Sequence, residues 1–99
     1  MIKWLLKPSG RCPIQAEGYF LGKYFYFRSR FNASTIEFSN KKLIYYDDYY
    51  IDKTYILKRT NDYEAGFLNL NFCKLLIYKG CFLFMLHLIK SKIKELCKL

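Results

Sequence analysis

The stretch Ile14-Gln15-Ala16-Glu17-Gly18-Tyr19-Phe20-Leu21-Gly22-Lys23-Tyr24-Phe25-Tyr26-Phe27-Arg28 alternates apolar or small residues with polar ones on both sides of Leu21-Gly22. A period of two is the mark of a strand with one face buried. A tight turn at Leu21-Gly22 pairs Phe20 with Lys23, Tyr19 with Tyr24, Glu17 with Tyr26 and Gln15 with Arg28. Directly opposed residues share a face. Ile14, Ala16, Gly18, Phe20, Phe25 and Phe27 then lie on one side, and Gln15, Glu17, Tyr19, Tyr24, Tyr26, Arg28 and Arg30 on the other. A slip by one residue would mix the two sets, so the pattern selects its own register.

The following segment extends the sheet. A four-residue connection, Phe31-Asn32-Ala33-Ser34, would return the chain along Thr35 to Ser39, setting Arg30 against Thr35, Arg28 against Glu37 and Tyr26 against Ser39. Ile36 and Phe38 join the apolar face. Upstream, Ile2 to Leu6 reads as a short strand ended by Pro8-Ser9-Gly10. Downstream, Leu43 to Tyr46 and Tyr49 to Leu57 are β-prone, with Asp47-Asp48 as a turn between them. Phe67-Leu68-Asn69-Leu70-Asn71-Phe72 alternates like a strand, and Cys73 to Tyr78 reads either way.

After Gly80 the period changes. Phe82, Met85, Leu86, Ile89, Ile93 and Leu96 recur at helical spacing with lysines between them, predicting a helix of roughly four turns. Its part from Cys81 to Ile89 is apolar all round and is expected to be buried on more than one side. That run of about ten residues is shorter than the roughly 20 a spanning helix needs, so no membrane span is expected. The reading is a single α+β domain over residues 1–99, an antiparallel β-meander of at least three strands packed against a C-terminal helix.

Ninety-nine residues hold one domain. The 20% aromatic content supplies core volume, because each ring buries roughly 150–250 Å². A formal charge of +9 favours acidic partners, nucleic acid or anionic lipid without bearing on fold. Cys12, Cys73, Cys81 and Cys97 are widely spaced, and His87 is the sole histidine, so no ordinary zinc spacing is present. The first seven residues hold too short an apolar run for an export signal. A cytoplasmic chain with reduced thiols is the expectation.

The best candidate site is the polar sheet face: Gln15, Glu17, Tyr26, Arg28, Arg30 and Glu37. Arg28 between Glu17 and Glu37 would be a bidentate arrangement, either a silent cross-strand ladder or a recognition surface. An intervening guanidinium would keep both carboxylates ionised, whereas a general acid needs a raised pKa. Tyr19, Tyr24 and Tyr26 beside Arg28 and Arg30 resemble in kind the sheets on which single-stranded nucleic acid stacks, but no RNP-type motif accompanies them. Asp47, Asp48 and Asp52 lack the glycine and closing Glu of a calcium loop. His87, without a carboxylate or thiol four residues away, reads as a core or boundary residue, and no nucleophile motif is present. No cofactor, metal or catalytic residue is expected.

Cys12-Pro13-Ile14-Gln15-Ala16-Glu17-Gly18, then Gly22, then Phe25-Tyr26-Phe27-Arg28-Ser29-Arg30 together resemble a pattern found in small bacterial and phage-borne proteins. Tyr63-Glu64-Ala65-Gly66-Phe67 is a later, looser match. The resemblance implies an accessory or mobile-element context and no particular reaction; the Leu-, Phe- and Lys-rich C-terminal third departs from it. The expected function is a non-enzymatic accessory protein that binds another macromolecule, concretely a phage-type inhibitor of a host defence or regulatory protein. A basic nucleic-acid-binding protein is the first alternative, and a small-ligand sensor or enzyme the second.

Overall fold

The computed structural model describes residues 2–40, 51–61 and 64–98. Five strands, β1 (Ile2–Ser9), β2 (Ile14–Phe20), β3 (Lys23–Arg30), β4 (Ala33–Ser39) and β5 (Ile51–Arg59), form one antiparallel sheet in the order of the chain. A 3₁₀ turn, Glu64–Phe67, leads into helix α1, Leu70–Cys97. The architecture is the α+β meander with a C-terminal helix that the alternation predicts.

The β2–β3 hairpin has the expected register, with Phe20 opposite Lys23, Glu17 opposite Tyr26 and Gln15 opposite Arg28. Leu21 and Gly22 both take positive φ, 52° and 77°. That combination matches the right-handed twist of the flanking strands.

The β3–β4 pairing differs from expectation by two residues. Arg30 pairs with Ala33, Arg28 with Thr35 and Tyr26 with Glu37, so the turn is Phe31-Asn32 alone. A shift by two leaves every side chain on its own face, and apolar alternation cannot detect it. What favours the shorter turn is tertiary. Phe31, at φ 53°, offers its carbonyl to the Ala65 N–H at 3.0 Å, and the Asn32 carbonyl accepts from the Thr60 N–H at 2.7 Å. Ser34, expected in the turn, is instead buried within β4.

Strand β1 runs past Leu6 to Ser9, with shifts in its pairing between Trp4 and Leu6 and between Leu6 and Ser9. Pro8 lies in the second irregular stretch of an edge strand, where its missing N–H breaks no ladder bond. The expected strand at Leu43 to Tyr46, the Asp47-Asp48 turn and the start of the strand expected from Tyr49 lie outside the described residues.

The largest revision concerns the helix. Phe67 to Phe72 is not a strand, and α1 begins ten residues before Gly80. Asn69 caps it, its side-chain oxygen accepting from the N–H groups of Asn71 at 2.8 Å and Phe72 at 3.3 Å. From there Cys73, Leu76, Ile77, Gly80, Cys81 and Phe84 bury one stripe on the sheet. Gly80 does not break the helix because it is the point of closest approach: a Cβ there would lie 2.7 Å from Ile36 Cγ2. Nor is the apolar stretch after Gly80 buried on several sides, since Phe82, Leu86 and Ile89 are exposed. By length and composition alone α1 is long and apolar enough to cross a membrane.

The core is Ile14, Ala16, Phe25, Phe27, Ile36 and Phe38 of the sheet against that stripe of α1. Trp4 closes one end, edge-on to Phe25 with centroids 5.8 Å apart. The buried Ser29 and Ser34 hydroxyls bond each other at 2.7 Å, and Ser29 also donates to the Ala65 carbonyl. The serine pair therefore fastens the 3₁₀ turn to the sheet without leaving a buried hydroxyl unmet.

Candidate functional site

The face of the sheet turned away from α1 carries Gln15, Glu17, Tyr26, Arg28, Arg30 and Glu37 together, because opposed residues of β2, β3 and β4 share a side. All but Arg30 are partly buried, and Arg30 is exposed. The order within the cluster is not the expected one. Tyr26, rather than Arg28, stands between the two carboxylates, with Glu17 on one neighbouring strand and Glu37 on the other. Arg28 stands between Gln15 and Thr35. The two-residue turn at Phe31-Asn32 moves Glu37 from Arg28 to Tyr26.

The guanidinium of Arg28 lies 6.0 Å from the centre of the Tyr26 ring, and that of Arg30 lies 5.1 Å from the Phe31 ring. These are cation–π distances. Burial pushes the Tyr26 phenol above its ordinary value; Arg28 opposes the shift and Glu17 adds to it. Tyr26 thus senses both signs of charge in the cluster.

Tyr24, placed on this face by the alternation but not among the six candidate site residues, belongs to the site. It is 3% exposed, and its hydroxyl donates to Glu17 Oε2 at 2.5 Å. Burial first, and then the bond and charge of Glu17, hold the phenol well above the usual tyrosine range. Tyr19 meets Tyr24 edge-on at 5.9 Å. The signal available in the sequence was the pairing of Tyr19 with Tyr24 beside Glu17, which puts a phenol within reach of a carboxylate.

Other candidates are placed elsewhere. His87 stacks on Phe84 at 6.2 Å, as a boundary residue of the helix does. Cys73 and Cys81 are buried in the α1 stripe, while Cys12 and Cys97 are exposed and far apart in the chain. No group of three or more His, Cys, Asp or Glu residues is placed to hold a metal ion among the described residues. A shallow groove lined by Gly10, Arg11 and Phe67 to Asn71 adjoins the start of α1 and includes none of the six site residues.

The loop before β2 and the 3₁₀ turn meet in the fold: the Cys12 N–H donates to the Gly66 carbonyl at 3.0 Å. A Cβ on Gly66 would lie 2.7 Å from Cys12 Cα, so glycine allows the two backbones to touch. That contact is structural. No protein-family model, curated protein or solved structure matches the chain.

Proposed function

We propose that the chain is a non-enzymatic binding protein whose outer sheet face docks a protein partner. The observation that carries this reading is the row Glu17–Tyr26–Glu37, flanked along β3 by Arg28 and Arg30. It sets carboxylate, phenol and guanidinium side by side on strands joined by two-residue turns. Such a face presents donors and acceptors of both signs in fixed order, and this suits a protein surface with complementary charges. Tyrosine and arginine are also the residues that most often dominate binding energy at protein contacts.

The concrete form of the reading is a small cytoplasmic accessory protein that inhibits a host defence or regulatory protein, in keeping with the phage-borne pattern that its first hairpins resemble. Nucleic acid is the weaker partner for this face, because Glu17 and Glu37 repel phosphates at the row where the aromatic rings lie.

Reversing charge at both positions, Arg28→Glu with Arg30→Glu, tests the reading. Arg30 is exposed and Arg28 lies half-buried on the face opposite the core, so the circular dichroism of the variant should match the parent. A specific partner co-purified from the native host should be lost. Recovery of the same partner at the same yield defeats the proposal. Retention of the parent chain on single-stranded nucleic acid, falling with salt at a log–log slope of about −0.7 per phosphate contacted and abolished in the variant, would favour the nucleic-acid reading instead.

A further inference from the structure

Helix α1 has two apolar faces, and the sheet uses one of them. At 3.6 residues per turn, the buried residues Cys73, Leu76, Ile77, Gly80, Cys81 and Phe84 point to one side. Leu75, Phe82, Ile89 and Leu96 recur every seven residues on the opposite side and are 64%, 55%, 49% and 65% exposed. Tyr78, Leu86 and Ile93, also exposed, fill the intervals, so all seven fall within an arc of about 80°. The ridge extends beyond the sheet. A helix of 28 residues is about 42 Å long, strands of seven to nine residues reach about 23–30 Å, and no described residue after Phe84 is buried.

The charges beside the ridge select what covers it. By the same geometry Lys74 and Lys92 lie along one flank, and Lys79 and Lys90 along the other. Lys74 Nζ stands 5.9 Å from the centre of the Trp4 ring, and Lys79 Nζ donates to the Leu57 carbonyl at 3.5 Å. Lys90 and Lys92 lie beyond the buried stripe, which ends at Phe84. Between Leu70 and Cys97 the one acidic residue is Glu95, on the sheet side of the helix. A second copy of the chain would bring lysine rails against lysine rails with no counter-charge. Such flanks are complementary to an anionic surface. All the cations of α1 are lysines, whose long stems can lie on apolar surface while the ammonium reaches outward. That suits headgroups of no fixed geometry better than the carboxylates of a protein groove, for which the planar fork of arginine is the usual reader.

We propose that the outer ridge of α1 seats the protein on an anionic lipid surface, lying in the interface with its apolar side chains among the acyl chains and its lysines at the headgroups. The opposite face of α1 stays on the sheet. Crossing the bilayer would strip Phe84 from Phe38 and expose the core, so the helix lies along the membrane rather than through it. The polar sheet face then points away from the lipid.

Flotation of the full chain with vesicles tests this. The parent should float with phosphatidylcholine vesicles containing phosphatidylglycerol, at least about tenfold more strongly than with phosphatidylcholine alone, and should be released by high salt or alkaline carbonate. Phe82→Asp with Ile89→Asp, both on exposed positions, should lower flotation about tenfold or more while circular dichroism stays unchanged. Lys79→Gln, Lys90→Gln and Lys92→Gln together should lower it and flatten its salt dependence. Equal binding of parent and ridge variant overturns the proposal, as does retention in the membrane after alkaline extraction. A lipid-free dimer in sedimentation that Phe82→Asp with Ile89→Asp dissolves would also overturn it, assigning the ridge to a second copy. None of these readouts depends on the sheet-face variant, so the two proposals stand or fall separately.

Discussion

Phe38 of β4 and Phe84 of α1 lie ring on ring, with centroids 4.1 Å apart and planes 3° from parallel. Both are fully buried, and Phe38 also meets Phe25 and Tyr55. This stack is the last contact of the buried stripe of α1, which ends at Phe84. Phe84→Ala should cost about 3–5 kcal/mol, as truncation of a buried ring does. The whole stability expected of a chain this size is about 5–15 kcal/mol. Urea unfolding followed by circular dichroism measures it. A loss below about 0.5 kcal/mol, within the range of ordinary surface changes, would mean that the helix is not seated on Phe38.

Leu21 makes the opposite kind of prediction. Its side chain is 55% exposed, yet its backbone sits at φ 52°, where a residue with a Cβ is disfavoured by roughly 1–2 kcal/mol. Asparagine tolerates that conformation, and Asn-Gly is the preferred pair for this turn. Leu21→Asn should therefore stabilise the chain by about 1 kcal/mol, raising the melting temperature by roughly 4–8 °C for a domain of this length. Thermal denaturation decides it. An unchanged or lower midpoint would show that the β2–β3 turn is built differently.

The first hairpin was legible because its two faces differ in chemistry and its turn holds a glycine. The β3–β4 register was legible only to within two residues. Alternation fixes which side Glu37 occupies but not its height along the strand, and the hydrogen bonds that set the height come from Thr60 and Ala65, far away in sequence. The same error placed Arg28, rather than Tyr26, between the two carboxylates. The helix start was hidden by an accident of composition: Leu68, Leu70 and Phe72 alternate with asparagines as they would in a strand. Asn69, one of those asparagines, is the helix cap. Gly80 misled for a related reason, since a lone glycine reads as a boundary until the packing that requires it is known. The outer ridge left a sequence signal in the seven-residue recurrence of Leu75, Phe82, Ile89 and Leu96.

Gly80 offers a test in which two principles predict opposite signs. Helix propensity alone would make Gly80→Ala stabilising by roughly 0.8–1 kcal/mol. Packing opposes it: the new Cβ would sit 2.7 Å from Ile36 Cγ2 and 3.3 Å from Leu57 Cδ2. Ile36 is fully buried and Leu57 nearly so, and overfilling such a core typically costs about 1–3 kcal/mol. The clash should win, leaving the alanine variant less stable by up to about 2 kcal/mol, the difference of those ranges. Gly80→Val should be worse. A more stable alanine variant would mean that α1 stands further from β4 than the close contact at Ile36 implies.

The cysteines report on the same interface through pH. Burial pushes the Cys81 thiol up to about 12 from its ordinary 9.0 and raises Cys73 in the same direction. The folded chain therefore keeps protons that the unfolded chain releases. The stability this contributes is fully present below about pH 9 and is lost as the pH climbs towards 12. Tyr24 and Tyr26, raised by burial as well, add to the loss above their ordinary value of 10.0. Urea midpoints measured from pH 8 to 11 should fall steadily, and Cys81→Ala should make the fall shallower while lowering stability at pH 8. At that pH a thiol reagent should modify Cys12 and Cys97 at once, because both are exposed, and should reach Cys73 and Cys81 only as fast as the protein opens. Rapid modification of all four thiols in the folded chain would place the buried stripe of α1 in water, and the sheet would then have lost the cover on its apolar face.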